Sequence, residues 1–155
     1  MKAMELTANR YCSIAHSLET LGQKWSLLIM REAMWGRTRF AEFRAIGAPT
    51  DILTARLDSL VEEGLLERRP YRDPGARARD EYVLTEAGRD LLPVLAAFVD
   101  WGDQYRPMER GPAAVFVDES TGRPVTLSFA DESGAVIERG RVRMVPGPGA
   151  PEADG

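Results

Sequence analysis

The sequence predicts an α+β chain: short helices first, then a two-stranded hairpin, one long helix and a small β-rich tail. Three observations carry this. Residues 50–63 hold Leu53, Leu57, Leu60 and Val61 at helical spacing, and Gly64 follows where a helix ends in the left-handed conformation. After Gly64 the pattern becomes extended, with residues 65–71 and 81–84 as two arms around the turn signal Asp73-Pro74-Gly75. Residues 85–105 then read as a long helix apolar on more than one face. Two short helices joined by the break Gly47-Ala48-Pro49 and followed by a hairpin match a winged helix-turn-helix. The long helix is its expected dimerisation element.

Residues 1–11 are expected to be a flexible arm, with Leu6 and Tyr11 available to a partner. Residues 12–22 form a helix with Ile14, Ala15, Leu18 and Leu21 on one side. Cys12 and His16 lie four apart and so neighbour one another on its surface. Residues 23–35 make a helix dense in apolar groups, Trp25, Leu28, Ile29 and Ala33 among them, which belongs near the centre of the core. Thr38 can cap the next helix, whose apolar side is Phe40, Phe43 and Ile46, and Arg37 and Arg39 flank it as expected phosphate contacts.

In the helix over 50–63, Pro49 ends the preceding segment and Thr50 can cap. Opposite its apolar stripe stand Asp51, Ala55, Asp58, Ser59 and Glu62, flanked by Ile52 and Arg56. Ala55 and Ser59 are small enough for that face to approach a partner closely. The expected DNA-reading residues are Thr50, Asp51, Thr54, Ala55, Arg56 and Ser59. The hairpin carries Arg68, Arg69, Arg72, Arg77 and Arg79, with Asp73 as the single acid from 68 to 79. Arginine suits phosphate or a narrow minor groove, because its charge is permanent and its fork planar. Arg72, Arg77 and Arg79 are the expected wing contacts.

The run from Cys12-Ser13-Ile14-Ala15 to Leu21-Gly22-Gln23-Lys24-Trp25-Ser26-Leu27-Leu28-Ile29 resembles the opening of HxlR-type transcriptional regulators, relatives of the MarR group. So do Arg39-Phe40-Ala41-Glu42-Phe43, Leu53-Thr54-Ala55-Arg56-Leu57, Glu63-Gly64-Leu65-Leu66-Glu67-Arg68 and Glu81-Tyr82-Val83-Leu84-Thr85-Glu86-Ala87-Gly88. The resemblance spans about residues 11–105, and the order and spacing of the separate motifs make it specific. It implies a dimeric winged helix-turn-helix protein on a roughly palindromic operator of double-stranded DNA. It also extends to Cys12 the sensing of electrophiles or oxidants that several such regulators perform with a cysteine at this place. The sensing form is the thiolate, which a helix amino end and a nearby imidazolium, here His16, favour. A small buried thiol beside a surface histidine is the competing account. Asp51 departs from the family pattern, which has a basic or amide residue in the first turn of the second helix. Its charge repels phosphate, so it either faces a base such as cytosine or turns away.

Thr85 caps the long helix, with Glu86 in its first turn where a negative charge suits the dipole. Pro93 should kink it. Leu91, Leu95, Phe98, Val99, Trp101 and Tyr105 cover two sides, so one side is assigned to the chain's own domain and the other to a second copy. Coverage of both sides by the tail is the alternative. Residues 106–113 read as a linker and residues 114–145 as three or four short strands around turns at Thr121-Gly122 and Ser133-Gly134. So small an appendage must lean on something larger. Ligand binding, a wider dimer interface and bracing of the long helix remain open as its role. In some similar regulators such a tail carries cysteine pairs resembling a zinc ribbon; this one has none, so no metal and no cofactor are expected. Residues 146–155, rich in Pro, Gly and Ala, should be disordered.

Totals narrow the rest. A chain of 155 residues, 44% hydrophobic, holds one domain with an appendage. It has no apolar run long enough for a membrane span and no apolar secretory core at its amino end. A single cysteine permits no internal disulfide, which fits the cytoplasm. The net charge of −4 argues against a non-specific nucleic-acid binder but leaves a specific one, whose footprint is local. With His16 as the single histidine, no phosphate loop and no metal cluster, the pattern disfavours an enzyme. The reading is a dimeric DNA-binding regulator, a repressor in its simplest form, open to a small-molecule or oxidant effector. The alternative is a winged-helix protein-interaction module without DNA binding, favoured by Asp51, Asp58, Glu62 and the acid balance.

Overall fold

The computed structural model describes residues 7–150. The chain divides into two compact units, residues 1–92 with 149–155, and residues 93–148.

The first unit contains α1 (Thr7–Arg10), α2 (Ser13–Leu21), α3 (Lys24–Met34), α4 (Phe40–Phe43) with a 3-10 turn at Arg44–Ile46, α5 (Thr50–Glu62), the antiparallel strands β1 (Leu66–Tyr71) and β2 (Arg79–Leu84), and α6 (Glu86–Arg89). Residues 7–10 thus form a helical turn where an irregular arm is expected; Leu6 lies outside the described residues.

The core follows from the apolar stripe of α5. Leu53, Leu57 and Leu60 are fully buried with Ile29, Met30, Phe43 and Leu66. These side chains come from α3, α4, α5 and β1, and α5 packs on both α3 and β1. Full burial of one such side chain contributes about 2 kcal/mol, so three leucines on one face fix the rotation of α5 about its axis. Val61, at the edge of the stripe, is half-buried.

The joints between elements are made by backbone groups. Gly64 takes φ 74°, which lets the chain reverse after α5, and the Leu65 amide donates to the Leu60 carbonyl at 2.9 Å. Pairing runs from Leu66 opposite Leu84 to Tyr71 opposite Arg79. The Tyr82 amide donates to the Thr38 carbonyl at 2.7 Å and ties the wing to the start of α4. The Tyr82 ring meets Phe43 edge-on at 6.3 Å. Thr85 caps α6 as expected, accepting from the Gly88 amide at 3.1 Å while its hydroxyl donates to the Gly64 carbonyl at 2.6 Å. The caps of α4 and α5 fall one residue from the expected positions, at Arg39 and Pro49.

The long carboxyl-terminal helix is present in two pieces. A turn at residues 90–91 separates α6 from α7 (Leu92–Tyr105). The break precedes Pro93, which stands in the first turn of α7, where its missing N–H costs no helical hydrogen bond.

In the second unit, α7 is followed by residues 106–113 without helix or strand, then by the short hairpin β3 (Phe129–Ala130) and β4 (Val136–Ile137). An isolated bridge joins Val117 to Pro124. The expected strands are therefore shorter than their alternation implies. Asp118 and Asp131 hold the turns: each side chain accepts from the amide and hydroxyl of the serine two residues on, Ser120 and Ser133. Those serine hydroxyls are the first cause of the lowered pKa of both carboxyls. Residues 146–150 carry neither helix nor strand, and residues 151–155 lie outside the described residues.

Gly88 marks the closest approach in the first unit. A Cβ there would lie 2.1 Å from the Leu65 carbonyl oxygen and 3.1 Å from Leu84 Cδ2. Gly88→Ala should therefore cost about 2 kcal/mol or more, because backbone must move. Urea unfolding checks this; a change below about 0.5 kcal/mol, the range of neutral surface substitutions, would contradict it.

Candidate nucleic-acid interface

With its apolar face buried, α5 turns Thr50, Asp51, Ile52, Thr54 and Ala55 to solvent and leaves Arg56, Asp58 and Ser59 half-buried. The Thr54 hydroxyl donates back to the Thr50 carbonyl at 2.9 Å. Asp51 is in the first turn of α5, where the helix dipole favours an acid. A concavity of about 330 Å³ lies beside it, lined by Gln23, Trp25, Asp51, Ile52, Ala55 and Arg56. Gln23 and Trp25 are the residues of this surface that the sequence reading missed. The signal was an amide, a cation and an indole together at a helix start, and Lys24 indeed stands 4.2 Å over the Trp25 ring.

The wing arginines divide into two groups. Arg68 pairs with Asp58 of α5 and stands 5.9 Å over the Tyr82 ring. Arg69 makes two hydrogen bonds to Glu67. Both are thus taken up within the fold. Arg72 donates through Nε to the Ala76 carbonyl at 2.7 Å, which closes the wing tip and leaves its charge without a carboxylate. Arg77 and Arg79 make no ion pair among the described residues. Arg72, Arg77 and Arg79 are therefore the wing cations with charge to spare.

The segment before α4 is also tied down. Arg39 bridges to the wing tip, Nη2 to Asp73 Oδ1 at 3.1 Å and Nη1 to Asp73 Oδ2 at 3.3 Å, with its guanidinium 4.3 Å over the Tyr71 ring. Arg37 stands 3.8 Å from the buried carboxylate of Glu32, which Arg31 holds at 2.7 Å. Glu42 Oε2 accepts from the amides of Thr38 and Arg39, each at 2.9 Å. Arg37, Thr38 and Arg39 are thereby held in one place, though Arg37 and Arg39 have carboxylates to leave before they can serve an outside anion.

Cys12 is half-buried at the N-cap position of α2, with extended backbone. His16 does not engage it: Nε2 donates to the Arg10 carbonyl at 2.9 Å, and Nδ1 lies 3.7 Å from Glu19. The helix amino end is thus in place at Cys12, while the imidazole is occupied elsewhere.

Along α7, Phe98, Trp101 and Tyr105 are 60%, 54% and 55% exposed, and the Trp101 and Tyr105 rings lie 5.5 Å apart, tilted by 44°. Pro93, Val94, Ala97, Phe98 and Trp101 line an apolar groove on this helix. Leu95 and Val99 are half-buried, as is Leu91 in the first unit. A second apolar stripe runs along the start of the chain, where Tyr11, expected to be available to a partner, is exposed together with Ile14 and Leu18. No helix among the described residues is long and apolar enough to cross a membrane.

The model of the HxlR-like helix-turn-helix family matches residues 20–110. An uncharacterised HTH-type transcriptional regulator of Mycobacterium tuberculosis is 40% identical over 140 residues, covering 88% of this chain and 87% of that protein. The crystal structure of PA1607, a candidate transcription factor, superposes with a TM-score of 0.74 at 32% identity, covering 93% of this chain and 99% of the other. The redox regulator HypR in its reduced form superposes at 0.56 with 31% identity, covering 61% of this chain and 94% of that one.

The Glu42 carboxylate gives this surface a pH dependence. Its pKa is lowered, first by the Arg39 amide and then by the Thr38 amide. A folded pKa below the unfolded one adds stability above the unfolded value, and that stability is lost as pH falls through the lowered folded one. Glu42→Gln should thus be less stable than the parent near neutral pH, with the gap closing below the ordinary carboxylate range. Denaturant titrations at neutral and acid pH check this; a gap constant with pH would contradict it.

Proposed function

The chain belongs to the HxlR-like helix-turn-helix family of transcriptional regulators, and on that premise we propose that it is a dimeric, sequence-specific repressor. The observation that carries the reading is the outer face of α5. Apart from Ile52, the residues it opens to solvent, Thr50, Asp51, Thr54 and Ala55, are small or polar, and wing cations without carboxylate partners stand in the same unit. In the proposed complex α5 enters the major groove. The Thr54 methyl and Ala55 meet thymine methyls, while Arg56, Ser59 and Thr50 hydrogen-bond base edges or nearby phosphates. Asp51 accepts from a cytosine amino group, with its charge already favoured by the helix amino end. Arg72, Arg77 and Arg79 hold phosphate or the minor groove, and Arg37 and Arg39 join them by exchanging Glu32 and Asp73 for phosphate.

Pairing through the exposed aromatic face of α7, with the Tyr11, Ile14 and Leu18 stripe as a second patch, would set two copies of α5 on a palindromic operator. Binding there in the cytoplasm blocks polymerase. Cys12 at the amino end of α2 is the proposed place of oxidant sensing, which is supported by the likeness to a redox regulator.

A duplex from the chain's own genomic neighbourhood tests the reading. About eight phosphate contacts per dimer predict a loss of roughly ten-thousandfold in affinity between about 50 and 200 mM salt. Arg79→Ala should weaken all sequences alike and reduce the salt slope by about one per protomer. Cys12→Ser should keep DNA affinity and lose release by hydrogen peroxide. If no such duplex binds at low salt, the protein-interaction reading replaces this one. Asp58 no longer supports that alternative, since Arg68 neutralises it.

A further inference from the structure

The second unit contains a groove of about 730 Å³ between α7 and the tail, lined by Trp101, Leu127, Phe129, Val142 and Met144, with polar groups at its rim. The size is that of a small-molecule site. All five apolar side chains are exposed, yet they gather in one concavity rather than scattering over the surface. Such a gathering marks a binding surface more often than chance exposure does.

The charges at the rim are unequal. Asp100 is paired: Arg139 Nη2 donates to its Oδ2 at 3.0 Å. Arg143, which also lines the groove, makes no ion pair and no side-chain hydrogen bond among the described residues. The groove therefore presents an apolar wall, one neutralised pair and one guanidinium with its donors free. A cationic ligand finds no free carboxylate there, and a neutral one leaves those donors to water. A ligand with an apolar body and one carboxylate satisfies both parts, the body displacing water from Trp101 and Phe129 and the carboxylate taking the Arg143 fork.

We propose that this groove binds a small amphipathic monoanion, an apolar chain or ring system ending in a carboxylate. Trp101 belongs both to the groove and to the exposed face of α7, so occupancy would bear on the surface assigned to pairing. Only that last step rests on the regulator reading above; binding itself is measured without DNA.

The experiment uses the full chain with 1-anilinonaphthalene-8-sulfonate as reporter and decanoate, decanol and decyltrimethylammonium as competitors. Decanoate should displace the dye saturably, and the cation should fail to at equal concentration. Arg143→Gln should weaken decanoate about fivefold, the size of one partly exposed charge contact, with little change for decanol. Val142→Asp, which puts an acid in the wall, should remove decanoate binding while far-ultraviolet circular dichroism stays that of the parent. Val115→Ser, at an exposed valine that does not line the groove, should leave binding intact. The proposal is overturned if decanoate shows no saturable binding, if all three competitors act alike, or if neither Arg143→Gln nor Val142→Asp changes the affinity. Failure to bind DNA with decanoate binding intact would count against the regulator reading and leave this site standing.

Discussion

The rotation of α5 is the constraint on which the rest depends. Leu53, Leu57 and Leu60 have no exposed surface, and one fully buried leucine replaced by alanine costs about 2–5 kcal/mol. Turning the helix would expose all three together and bury Asp51 and Thr54 in their place. The outer face is thus fixed by what the inner face must do. Asp58, at the edge of that outer face, adds a second lock through Arg68 of the wing.

The same constraint organises the surroundings. Gly64 lets the chain turn back immediately, so Leu66 reaches the same core and β1 begins beside α5. Gly88 then allows α6 to approach the Leu65 carbonyl closely. Arg39 spans from the start of α4 to Asp73 at the wing tip, so the two flanks of α5 are linked to each other. This link places one acid where the proposed complex puts phosphate. The wing would be held in register before binding and exchange its carboxylate for the operator.

Much of this was legible in the chain because it is local. The leucine spacing, the left-handed glycine, the Asp73-Pro74-Gly75 turn and the Thr85 cap each depend on residues within a turn or two of one another. What was not legible depends on distance along the chain. Nothing in the sequence pairs Arg39 with Asp73 or Arg68 with Asp58, so the division of the wing arginines into used and spare emerges with the fold. His16 follows Cys12 by one turn, yet its ring serves Arg10 and Glu19, because a carbonyl at the end of α1 was within reach. The tail shows a different shortfall. Alternation predicts strands when a face is covered, but Val115 and Val136 are 74% and 70% exposed, and the Asp118 and Asp131 turns take up several residues each. Only two-residue strands remain. The groove beside α7 was likewise out of view, since Trp101, Phe129 and Arg143 come from separate stretches.

The most direct test attaches a photoactivatable azidophenacyl group to Ala55→Cys, in a Cys12→Ser background, and maps its cross-links on a bound duplex. Ala55 lies on the outer face of α5 and has a small side chain, so the label should leave the buried face intact. The account predicts cross-links to major-groove base edges at two places about one helical turn, or a whole number of turns, apart. Cross-links confined to the sugar–phosphate backbone, or none from residue 55 on a duplex that is bound, would contradict it.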